Sequence, residues 1–82
     1  MREKLNEKML NEIGLILEYY ANSCYTEEVE KIVNQIQNIF DYKEPTIQEL
    51  KPLLQKLYSK VVKREFHSDL LENVLKKMDE KD

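Results

Sequence analysis

Apolar residues recur along this chain at three- and four-residue steps in four separate stretches, and each stretch reads as an amphipathic helix. In the first, Leu5, Met9, Ile13, Ile16 and Tyr20 share one face, and Leu10, Gly14 and Leu17 widen it. Glu3, Glu7, Lys8, Glu12 and Glu18 take the other side, so a helix is expected over residues 3–21. Glu3 and Glu7 form a like-charge pair on it. Gly14 lowers helix propensity by about 1 kcal/mol relative to alanine; the expected reason is close approach of a second helix. Leu15 and Tyr19 point off the main seam and are expected to bury a second contact.

Asn22 to Tyr25 reads as a loop, followed by an N-cap at Thr26. Glu27 and Glu28 then occupy a first turn, where carboxylates favour the positive end of the helix dipole. Val29, Ile32, Val33, Ile36, Ile39 and Phe40 carry the second stripe, so this helix should end near Phe40. Asp41 to Pro45 forms the next loop, and Pro45 biases Glu44 away from helical geometry. Thr46 and Glu49 have capping-box spacing. Pro52 falls six positions after the cap, where it removes a hydrogen bond and crowds the Gln48 carbonyl. Two outcomes follow: a kinked helix, or a short turn over 46–50 with the main helix starting at Pro52. The second is the expectation. Leu50, Leu53, Leu54, Leu57, Tyr58, Val61 and Val62 carry the core face in both.

The fourth stripe is Leu70, Leu71, Val74, Leu75 and Met78. Ser68 or Asp69 is its expected cap, with Asp69 and Glu72 at capping-box spacing, and Lys76 and Lys77 suit the last turn. Arg64 and Ser68 interrupt the heptad that runs from Leu54 through Leu57 and Val61, so the third and fourth helices are expected to be separate. Four stripes joined by short loops predict an all-α fold, a small antiparallel four-helix bundle in one domain over residues 1–82. The alternative is three helices with a long last one, dimerised through it.

Composition agrees with a helical chain. A single glycine among 82 residues excludes folds built on repeated tight hairpins or phosphate-cradling loops. The one cysteine, Cys24, has no internal disulfide partner, which fits a reducing cytoplasm. Glu18 cuts the apolar run from Ile13 to Leu17 too short for a signal-peptide core or a membrane span. Lysine outnumbers arginine, and asparagine and isoleucine are frequent, a usage common in low-GC bacteria and their phages.

Candidate chemistry is sparse. His67, with Asp69 and Glu72 nearby, supplies one of the three or four ligands a metal site needs, so no metal and no cofactor are expected. Cys24 becomes a nucleophile only if His67 reaches it in space. Glu27, Glu28 and Glu30 are explained by the helix dipole and by solvation. No Walker loop, dinucleotide fingerprint, HExxH or GxSxG occurs, so the chain is not expected to be an enzyme.

Charge distribution says more. Lys56, Lys60, Lys63 and Arg64 fall at helical steps and predict a basic stripe on the third helix, which Lys51 extends. Residues 47–68 hold five basic and two acidic side chains, while residues 23–46 hold two and five, in a chain of net charge −3. The stripe suits either plain solvation or docking on an acidic protein surface or on lipid headgroups. Phe66 and His67 lie just past it, and Phe66 is a candidate contact anchor. The partner-binding candidates are therefore Lys56, Lys60, Lys63, Arg64, Phe66 and His67. Nucleic acid ranks lower: the loops lack the tight turn of a helix-turn-helix, arginine is scarce and the net charge is negative.

The layout resembles the enterocin A-type immunity proteins of pediocin-like bacteriocins. The resemblance rests on the aromatic pair Tyr19 and Tyr20 in the first helix and the acidic start of the second. It continues through Pro52, Leu53, Leu54 and Leu57 followed by Tyr58, and a last helix after a short polar link. It implies a four-helix bundle of the cytoplasm, placed at the inner face of the membrane, that recognises a bacteriocin on its membrane receptor and catalyses nothing. The alternative is a small regulatory or phage-type protein that binds another protein or nucleic acid.

Overall fold

The structure is a computed structural model that describes residues 5–23 and 26–81, the side chain of Lys81 excepted. Four helices account for most of it: α1 (Glu7–Asn22), α2 (Glu27–Tyr42), α3 (Ile47–Lys60) and α4 (Phe66–Lys81). The first packs on α2 and α4, and α3 packs on the same two neighbours, so the helices close a ring in chain order. Ion pairs record the antiparallel sense. Lys77, late in α4, lies 3.5 Å from Glu12, early in α1, and Lys51, early in α3, lies 2.6 Å from Asp79, late in α4. The described residues thus form an up-down four-helix bundle, and the long-last-helix alternative is excluded.

Each helix buries the stripe its spacing predicted. Met9, Ile13, Ile16, Leu17 and Tyr20 meet Val29, Ile32, Val33 and Ile36; Leu50, Leu54, Leu57, Leu71, Val74 and Met78 close the other side. All belong to one core cluster, with Leu5, Ile39, Phe40 and Leu53 packed half-buried against it. Val62 departs from expectation: it is exposed, because α3 has ended before it.

The helix ends show where local signals hold and where packing overrides them. The first helix begins at Glu7, where Asn6 caps it: its Oδ1 accepts from the Met9 N–H at 2.8 Å. The Glu3–Glu7 pair lies outside the described residues. Thr26 caps α2 as expected, accepting from the Val29 N–H at 3.1 Å. That helix runs two residues past Phe40, to Tyr42, and its last turn closes where the Lys43 N–H donates to the Ile39 carbonyl. Glu44 and Pro45 then stop it, as the restriction before proline requires.

The capping box at Thr46 and Glu49 forms in both directions. Lys43 pairs with the Glu49 carboxylate, and that neighbour, with the Thr46 bonds, holds the carboxyl below its ordinary value of 4.5 against a smaller opposing effect of desolvation. The helix then continues unbroken from Ile47 through Pro52 to Lys60, which corrects the expectation of a start at Pro52. The reason is tertiary. Ile47 and Leu50, in the first turns, are fully buried, and only a continuous helix puts them in register with Leu54 and Leu57. Pro52 itself faces solvent, beside an exposed Gln48 whose carbonyl can bond to water.

The start of α4 is also corrected. Neither Ser68 nor Asp69 caps it; the helix begins at Phe66, and Ser68 sits within its first turn. The Ser68 hydroxyl accepts from the Glu65 N–H at 2.9 Å and donates to the Glu65 carbonyl at 3.0 Å. Ser68 is the one buried polar side chain among the described residues, and these two bonds satisfy it. Gly14 is not a close-approach site: it lies on the exposed side of α1, and a Cβ there would have nothing within 4 Å.

Candidate functional site

The six candidate residues do not share one face. The third helix ends at Lys60, so only Lys56 and Lys60 form a helical stripe, and Lys63 and Arg64 fall in the link to α4. This corrects the four-residue basic stripe. Lys56 and Lys60 face α2, where Lys60 Nζ stands 3.5 Å from Glu28 Oε2.

Lys63 turns back on α3. Its ammonium donates to the carbonyls of Tyr58 at 2.6 Å and Val61 at 2.9 Å, and it lies 4.5 Å from the centroid of the Tyr58 ring. These carbonyls belong to the last turn and cap of the helix, where a cation is favoured by the dipole. Lys63 is therefore committed to ending α3. Arg64 makes the reversal: its φ of 69° is the only positive value at a non-glycine residue among those described, and its side chain is exposed.

The aromatic pair lies on the opposite side of the ring, at the α1–α4 edge. Phe66 opens α4 and is 70% exposed. The His67 ring stacks face to face on Tyr19, with centroids 3.8 Å apart and planes 6° apart. Phe66 meets His67 edge-on at 5.1 Å, and Tyr20 backs the group edge-on from the core, 5.0 Å from Tyr19. Beside this cluster is a shallow depression of about 400 Å³ lined by Leu15, Glu18, Tyr19, Asn22, Ser23 and His67. Leu15 is half exposed and contributes the largest free apolar side chain on that wall.

Tyr19 finds a second contact, on His67, and stays partly in water, while Leu15 is left half exposed. Their four-residue spacing on the polar side of α1 was the available signal; the separation of 48 positions between Tyr19 and His67 hid the stacking partner.

The corner offers π surface, one imidazole and one carboxylate, an arrangement suited to recognition. Among the described residues no three His, Asp or Glu side chains gather as a metal site. The Cys24 reading lies outside the described residues. No described helix is long and apolar enough to cross a membrane. The chain matches no family model, no curated protein and no solved structure.

Proposed function

We propose that this protein is a non-enzymatic interaction module, and that it acts as a bacteriocin immunity protein in the cytoplasm, at the inner face of the membrane. The observation that carries the interaction reading is the corner formed by Phe66, His67, Tyr19 and Leu15. A rigid helix pair holds aromatic rings there in water, and exposed aromatics beside a polar rim are what binding surfaces concentrate. The immunity reading adds the resemblance in layout: the Tyr19–Tyr20 pair sits at this corner, and the partner is then a bacteriocin bound to its membrane receptor.

Expression in a strain sensitive to pediocin-like peptides tests the proposal. Protection against at least one such peptide is expected, and Phe66→Ser should abolish it while leaving the helical circular dichroism unchanged. Absence of protection against every pediocin-like peptide tried would overturn the immunity reading. Retention of protection in Phe66→Ser and in His67→Ala would move the contact away from this corner.

A further inference from the structure

A second surface lies across the bundle, on the α2–α3 side. There a groove of about 310 Å³ is lined by Glu28, Lys31, Ile32, Gln35, Lys56 and Lys60. Lys31 and Gln35 are one turn apart on α2, and Lys56 and Lys60 are one turn apart on α3. Three ammonium groups and an amide thus flank a floor that includes Ile32.

The positive charge here is not absorbed by the chain itself. Elsewhere among the described residues most lysines are committed, Lys43 to Glu49, Lys51 to Asp79, Lys76 to Glu72, Lys77 to Glu12 and Lys63 to carbonyls, while Lys8 stands exposed and alone on α1. In the groove only Lys60 has a carboxylate partner, Glu28, at 3.5 Å, with the Lys60 side chain 40% and the Glu28 side chain 70% exposed. Lys31 and Lys56 make no ion pair among the described residues and are exposed. Three ammonium groups face one carboxylate there, so the groove stays net positive in a chain of net charge −3 and attracts a further anion.

We infer that this groove docks an acidic helix of a partner protein, its carboxylates spaced one turn apart to meet Lys56 and Lys60 with Lys31 opposite. Side chains four apart on a helix stand about 5–6 Å apart at Cβ, so one turn of a partner's acidic face repeats the spacing of the two lysines. Ile32 accepts an apolar side chain from the same face. Lysine presents a compact charge without the guanidinium fork that grips phosphates bidentately. Glu27, Glu28 and Glu30 stand exposed in the first turn of α2, and Glu28 lines the groove. A flat anionic bilayer or a continuous nucleic-acid backbone laid over this end of α2 would press against exposed carboxylates beyond the groove, whereas a short acidic helix seated between α2 and α3 faces Glu28 alone, which stands 3.5 Å from Lys60.

The test titrates the full chain, isotopically labelled for amide NMR, with a designed helical peptide bearing glutamates at i and i+4 beside a leucine. Its glutamine counterpart, phosphatidylglycerol vesicles and duplex DNA serve as the other arms. The acidic peptide should shift the amides of Lys31, Gln35, Lys56 and Lys60, weaken with added salt, and bind more tightly than the glutamine peptide. Lys31→Glu with Lys56→Glu should lower its affinity about tenfold, the scale of reversing two partly exposed ion pairs. Phe66→Ser should leave it unchanged, which separates this surface from the aromatic corner. Shifts confined to other residues, equal binding of the glutamine peptide, or an unchanged affinity in the charge-reversed variant would overturn the inference. Tighter engagement of the groove by vesicles or DNA would overturn the assignment to a protein helix.

Discussion

A single side chain can matter for what it lacks. Gly14 interrupts α1 where no neighbour needs the space, since a Cβ there would meet nothing within 4 Å and the backbone is ordinary helix. The glycine therefore adds backbone entropy to the unfolded chain and gains no contact in return. Gly14→Ala should stabilise the protein by about 1 kcal/mol, which raises the melting temperature of a domain this size by roughly 4–8 °C. Thermal unfolding followed by the helical circular dichroism signal reads this directly; a lowered midpoint would reveal a contact made by the glycine backbone itself. Lys63 makes the converse point. Its charge looks available in a linear chain, yet two carbonyls and the Tyr58 ring hold its ammonium.

At the scale of the element, α3 is the instructive case. Pro52 withholds the N–H that would bond the Gln48 carbonyl, and its ring crowds that carbonyl, yet the helix passes through it. The capping box at one end and the buried Ile47 and Leu50 hold the first turns in place against that loss. Pro52→Ala should restore the bond and stabilise the protein by about 1–3 kcal/mol, reduced by roughly 0.4–1 kcal/mol for the extra freedom of the unfolded chain. Urea unfolding should show a higher midpoint at unchanged slope. An unchanged or lower midpoint would mean that the proline ring contributes packing the alanine lacks.

The same helix explains what was legible in the sequence. Signals confined to a few residues read correctly: the Thr26 cap, the Thr46–Glu49 box and the apolar stripes all rest on spacing. Decisions taken by packing did not read. The proline penalty is visible locally, while the burial of Ile47 that overrides it depends on the other helices. The basic spacing from Lys56 to Arg64 continued a helical pattern past Lys60, but the chain leaves the helix at Val61 and reverses at Arg64 with φ 69°. The stacking of His67 on Tyr19 required the closed ring of helices, because no local pattern links the two residues. Of the six candidates, the structure puts Lys56 and Lys60 on the α2–α3 side, Phe66 and His67 at the α1–α4 corner, and Lys63 and Arg64 in the link between α3 and α4.

The whole molecule is a ring in which every helix touches two others and none can bury its stripe alone. The resulting body measures 37 × 28 × 18 Å, with one core that all four helices share. Stability should therefore be a property of the ring, lost in one step. Leu54, fully buried at the centre of α3, tests this. Leu54→Ala should cost about 2–5 kcal/mol, a large share of the roughly 5–15 kcal/mol that holds domains folded. Because α3 bridges α2 and α4, the loss should appear equally in the slowest-exchanging amides of all four helices, which native-state hydrogen exchange resolves residue by residue. If α1 kept its protection while α3 lost its own, the bundle would be two helix pairs and not one cooperative ring. A cooperative ring has a consequence for binding as well: a ligand on the α2–α3 groove and a ligand at the α1–α4 corner would each stabilise the same folded state, and each would raise the global unfolding free energy by mass action.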